Sequence, residues 1–187
     1  MRRSPNLGIL ACVALAAALA IHSARASTLP PSLAEDISGL RMVGGGQLRW
    51  LGFPIYDASL WTEDGHYDGF EPGEPIALSL WYQRRFSREE LLGITSTAWR
   101  KLDRWDAAQR EAWLAELRQV FRDIEPGHNF TTLVIPGRGT RFYDQNELLG
   151  EIADPSFGPA FLAIWLDPGT VVKDLRTQLL GREQANR

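Results

Sequence analysis

Residues 44–62 read GGGQLRWLGFPIYDASLWT, and the fold turns on how this stretch bends. Three consecutive glycines hold neither a helix nor a strand interior cheaply, so they read as punctuation, a turn at Gly44, Gly45 and Gly46. After them Leu48, Trp50, Phe53, Ile55 and Tyr56 crowd β-formers around the breakers Gly52 and Pro54, which predicts a hairpin or bulged bend. The second arm, 55–62, alternates. Tyr56, Ala58, Leu60 and Thr62 share one face, and Ile55, Asp57, Ser59 and Trp61 the other. The first face reads as buried; the mixed one faces either solvent or a cleft.

Upstream, 40–43 reads as a short strand ended by the glycines, and 27–36 as a Pro-containing entry segment, a loose lead-in or an edge. Downstream, 63–75 is a Gly- and Pro-rich loop in which His66 is a solvated histidine of a polar turn. Clean alternation returns at 76–82, with Ile76, Leu78, Leu80 and Tyr82 on one face. The period then changes. Ser87-Arg88-Glu89-Glu90 is a capping box opening one helix, and a second runs over about 107–121 with Trp113, Leu114, Leu117, Val120 and Phe121 in one stripe. Strands at 130–135, 140–143 and 148–152 form a meander, followed by a helix after Pro155 and a last one over about 171–180. Strands, helices, strands, helices, without βαβ alternation, predict an antiparallel sheet with helices segregated to one face, an α+β domain.

The first 26 of 187 residues read as a secretory signal peptide: Arg2 and Arg3, an apolar run over 7–21, and Ala24-Arg25-Ala26 as the cleavage site. The expected mature chain, 27–187, is a single domain, periplasmic or secreted, and the apolar run is short for a membrane span. Its three arginines leave with the signal, lowering the formal charge from −3 to −6. An acidic domain lacks the basic footprint of a nucleic-acid binder. Cys12, the one cysteine, is lost as well, leaving no thiol chemistry and no recognisable metal spacing, so neither metal nor cofactor is expected. No Gly-x-Ser-x-Gly elbow occurs, and the triple glycine matches neither phosphate-binding pattern.

Aromatic residues are the stronger clue. All seven tryptophans lie beyond the signal. A core built from large side chains explains any one of them; several together, with strand polar groups, suit a pocket for a flat or long apolar ligand. Trp61 and Trp81 sit on the mixed faces of their strands and are the first candidates to line it.

Four segments carry a resemblance: LRWLGFPIYDASLW (48–61), SLWYQRRFSREEL (79–91), GTRFYDQNELLGEI (139–152) and FLAIWLDPGTVVKDLRTQLLG (161–181). Together they resemble the bacterial chalcone isomerase-like family of exported proteins. The resemblance implies the chalcone isomerase fold, a sheet carrying helices with a ligand cleft between them. Plant chalcone isomerases close a flavanone ring by phenolate addition, held by an arginine near a Gly-rich turn and a strand residue beyond it. Here Tyr56 takes the downstream position, but Gly46 or Gln47 stands where the arginine belongs. Fatty-acid-binding members also use an arginine and a tyrosine, and Arg49 or Arg141 are the candidates for the missing anion partner.

Three readings follow. The first is an exported, non-catalytic protein binding a small apolar or amphipathic ligand, fatty-acid or flavonoid-like, through Tyr56, Arg49, Arg141, Trp61 and Trp81. The second is an intramolecular lyase of the chalcone isomerase type, which the missing arginine argues against. The third is a periplasmic interaction module whose cleft is filled by its own aromatics, its partner unspecified.

Overall fold

A computed structural model describes residues 28–69 and 74–182; the expected signal segment, 1–26, lies outside them. Six strands form one antiparallel sheet in sequence order: β1 (Arg41–Trp50), β2 (Phe53–Thr62), β3 (Ile76–Tyr82), β4 (Asn129–Ile135), β5 (Gly139–Tyr143) and β6 (Leu148–Ile152). Helices α1 (Arg88–Leu102) and α2 (Ala107–Val120) interrupt the meander, and α3 (Phe157–Leu166) and α4 (Lys173–Leu179) complete it. This is the α+β order read from the sequence.

The triple glycine does not make the turn. β1 runs straight through it, with Gly44, Gly45 and Gly46 paired to Leu60, Ser59 and Ala58, and a bulge at Val43 shifts the register. The reason is tertiary. A Cβ at Gly44 would lie 2.3 Å from the Gln178 carbonyl oxygen and 2.7 Å from that of Leu179, so the bare backbone of β1 lets the end of α4 lie directly against it. The chain turns at Leu51 and Gly52, both with positive φ, 50° and 82°. That pair of left-handed residues is the hairpin turn matching the strand twist.

Helix α1 begins with the capping box foreseen from Ser87 and Glu90: the Ser87 hydroxyl accepts from the Glu90 amide while the Glu90 carboxylate accepts from the Ser87 amide. Asp106 caps α2 by accepting from the Gln109 amide. Between the helices and the sheet lies an aromatic core in which Trp99, Trp113, Phe142 and Phe157 are almost wholly buried. Rings of this size each remove about 150–250 Å² from water, and their edge-to-face contacts fix how the helices sit. Trp99 Nε1 donates to the Ala160 carbonyl at 2.8 Å, tying α1 to α3, and Trp113 Nε1 donates to Asp154 at 2.7 Å.

The opposite face of the sheet has its own small core. Leu33, in a short 3-10 helix at Pro31–Glu35, packs with Ala77, Leu133 and Tyr143. Asp36 bonds both Arg141 and the Tyr143 hydroxyl. The segment expected as a loose lead-in is therefore a strap clamped across the sheet. Beneath and beside it, Asn129, Ser79 and Thr131 form a buried hydrogen-bonded cluster, with bonds of 2.7 and 2.9 Å to the Ser79 hydroxyl. The sheet thus has an apolar face toward the helices and a polar-centred face toward the strap.

Candidate functional site

Packing between the sheet and the helices stops short of filling the space. A cavity of about 740 Å³ remains, in the size range of small-molecule sites. The sheet supplies Leu48, Ile55, Tyr56, Leu80, Tyr82 and Phe130. Helix α1 contributes the face running from Glu90 through Leu91, Ile94, Thr95 and Ala98 to Lys101, spaced three and four residues apart as one side of a helix requires. Phe161, Ile164 and Trp165 of α3 close the far side, and Val171 and Val172 after it meet α1 across the opening. Ile94 and Val171 are 54% and 61% exposed, which marks the mouth.

Polar atoms in this wall are few. Tyr56 and Tyr82 are in-register partners on β2 and β3, with rings edge-on at 5.5 Å, and both are buried. Trp165 Nε1 donates to the Tyr56 hydroxyl oxygen at 2.9 Å. Burial pushes both phenols well above their ordinary range; for Tyr56 the bond from Trp165 opposes the shift in part, and for Tyr82 the neighbouring Tyr56 adds to it. Both are therefore neutral O–H groups at any pH near neutrality. Thr95 donates its hydroxyl to the Leu91 carbonyl at 2.9 Å. The only charged lining residues described are Glu90 and Lys101, both exposed at the mouth. The Glu90 carboxylate is occupied by the Ser87 amide and hydroxyl, each at 2.7 Å, and the amide bond holds its carboxyl below the ordinary range.

Of the five residues singled out from the sequence, the structure brings only Tyr56 to the cavity. Arg49 is exposed beside the β1–β2 turn, donating to Gln47 Oε1 at 2.6 Å and to the Gly52 carbonyl at 3.0 Å. Arg141 lies on the strap side of the sheet, paired with Asp36 and with Glu151 at 2.7 Å. Trp61 packs on that same side and donates to the Ser59 hydroxyl at 2.9 Å. Trp81 alternates with the helix-facing Leu80 and Tyr82, and its indole nitrogen is buried without a partner among the described residues. These four do not join Tyr56 in one site, because alternation places their side chains on the other face or beyond the sheet's edge.

Tyr82, Thr95 and Trp165 line the cavity beyond the residues that the sequence singles out. Tyr82 was within reach, since it shares parity with Ile76, Leu78 and Leu80. Trp165 was not, because its contact with Tyr56 spans 109 positions. Among the described residues no group of three or more His, Cys, Asp or Glu is placed to hold a metal ion, and no helix is long and apolar enough to cross a membrane.

Residues 25–181 match the model of a family described as chalcone isomerase-like. Among solved structures, a fatty-acid binding protein of Arabidopsis thaliana superposes with a TM-score of 0.62 at 10% identity, over 78% of this chain and 89% of its own. At that identity the likeness is one of fold. No curated protein sequence matches the chain.

Proposed function

The chain belongs to the chalcone isomerase-like family, and from that premise we propose that it is a non-catalytic binding protein for a small apolar or amphipathic ligand held between sheet and helices. The observation carrying this reading is the cavity of about 740 Å³, walled mainly by apolar side chains and open to solvent. A fold alone does not fix an activity, so the reading rests on the site. The Arabidopsis protein of this fold is a fatty-acid binder, which gives the ligand class a precedent on the same architecture.

Two features favour binding over catalysis. Ring closure through a phenolate asks for a preorganised positive group where the charge sits. Arg49 and Arg141 are engaged elsewhere, and the one cationic lining residue described, Lys101, stands exposed at the mouth. An interaction module with a self-filled cleft is also disfavoured, since the interior keeps its space. The reading includes export, supported by the signal-like character of residues 1–26.

Native mass spectrometry of the purified mature chain, before and after lipid extraction, tests the binding reading. A co-purifying small molecule lost on extraction is expected, together with saturable displacement of a neutral fluorescent apolar probe by long-chain compounds. Absence of both would remove it. Cyclisation of a chalcone above the spontaneous rate would favour the lyase instead. Export is checked by the mass of the protein from the periplasmic fraction, expected to begin near Ser27.

A further inference from the structure

The polar groups in the cavity wall are one-sided. Trp165 uses one lone pair of the Tyr56 oxygen, so the Tyr56 O–H remains unspent. The Tyr82 hydroxyl has no hydrogen-bond partner among the described residues, although the residue is only 8% exposed. Two buried, protonated phenols on adjacent strands therefore offer O–H donors, and Thr95 has its own hydrogen committed to Leu91. Both hydroxyls line the open space of the cavity, and an apolar group laid over them would bury the donors unpaired at a cost, which makes them the part of the wall that selects a ligand.

What they select depends on charge. An ionised carboxylate placed beside Tyr56 and Tyr82 would shed its water and gain neutral hydrogen bonds, with no counter-charge among the deep lining residues described. A carbonyl oxygen has two lone pairs, accepts O–H bonds and brings no charge to desolvate. We propose that the cavity holds an uncharged, largely apolar molecule whose one buried polar group is a carbonyl, of a ketone, ester or amide, received by the hydroxyls of Tyr56 and Tyr82. The inference rests on the binding reading above and narrows its ligand class. Lys101 at the mouth marks the competing arrangement, in which an ionised head stays outside, the tail points inward and the phenols go unpaired.

The test uses delipidated full mature protein at about pH 8, where a carboxylic acid is ionised. A long-chain methyl ketone, methyl palmitate, palmitate and the parent alkane, of matched chain length, compete against N-phenyl-1-naphthylamine. Ketone and ester are expected to bind about tenfold or more tightly than both palmitate and alkane, one good hydrogen bond's worth of discrimination. Tyr82→Phe, which strands no protein partner, is expected to lower ketone affinity toward that of the alkane, so that the ketone-to-alkane ratio falls about tenfold. Palmitate binding as tightly as the ketone, with a loss in Lys101→Ala, would overturn the carbonyl assignment and leave the binding reading standing. Ketone affinity unaltered in Tyr82→Phe and in Tyr56→Phe would overturn it as well. If the naphthylamine and all four competitors fail to bind, the binding reading itself falls.

Discussion

Trp165 on α3 donates its indole hydrogen to the Tyr56 hydroxyl on β2 across 2.9 Å, a side-chain bond joining the helix layer to the sheet at the cavity wall. Tyr56→Phe leaves the buried indole N–H without that acceptor, and is expected to destabilise by about 1–3 kcal/mol in urea unfolding. Trp165→Phe in addition removes the orphaned donor. The double variant should therefore cost less than the sum of the singles, with a coupling of about 1 kcal/mol in the cycle. Strict additivity would show that the bond contributes nothing.

The contact of α4 on β1 gives a contrast between adjacent glycines. At Gly44 an added methyl meets the Gln178 and Leu179 carbonyls and the Gly181 amide, all backbone, within 2.8 Å. At Gly45 the nearest atom is the Met42 methyl at 2.8 Å, which swings away, and the Ala58 carbonyl follows at 3.0 Å. Gly44→Ala is expected to cost about 2–3 kcal/mol and Gly45→Ala about 1 kcal/mol or less, measured by thermal or urea unfolding. Equal effects would mean that α4 does not depend on the bare strand.

That pair of glycines also shows where the sequence was legible. The Ser87–Glu90 capping box and the alternation of Ile76, Leu78, Leu80 and Tyr82 act between near neighbours, so both helix start and strand face were readable. The glycines signal a turn in the sequence, whereas it is the backbone of α4, more than 130 positions later, that requires them. The site was partly hidden for a different reason. Trp61 and Trp81 stand out on the mixed face of the strands, whereas the cavity opens mainly on the face of Tyr56, Leu80 and Tyr82, with Ile55 of the other parity joining it at the end of β2. An apolar strand face looks the same whether it packs solid or leaves a hollow, and only the spacing of the helix layer distinguishes the two.

Two exposed backbone positions hold stability in reserve. Leu51 sits at φ 50° in the hairpin turn with its side chain 83% exposed, a left-handed position where Asn is far better tolerated. Gly93 lies inside α1 with open space around an added Cβ. Leu51→Asn and Gly93→Ala are each expected to stabilise by about 0.5–1 kcal/mol. Their effects should add, since the sites belong to separate elements. A neutral or negative result at Leu51 would indicate that its apolar side chain packs in solution.

Acid sensitivity should trace in part to Asp154. Trp113 Nε1 donates to its carboxylate at 2.7 Å and the Ser156 amide at 2.8 Å, and these bonds hold its carboxyl below the ordinary 3.8, the indole bond foremost. A carboxyl depressed on folding contributes stability that is fully present above its unfolded value and is lost as pH falls through the folded one. The contribution is therefore constant from neutrality down to about pH 5 and fades below about pH 4. Asp154→Asn keeps an oxygen for the indole N–H and removes the charge, so its deficit relative to wild type should be largest at neutral pH and shrink in acid. Asp154→Ala leaves Trp113, only 1% exposed, with an unpaired N–H and should cost about 1–3 kcal/mol across the whole range. Urea unfolding of the three proteins from about pH 3 to pH 7 separates these outcomes; parallel curves for wild type and Asp154→Asn would exclude Asp154 as a source of the acid limb.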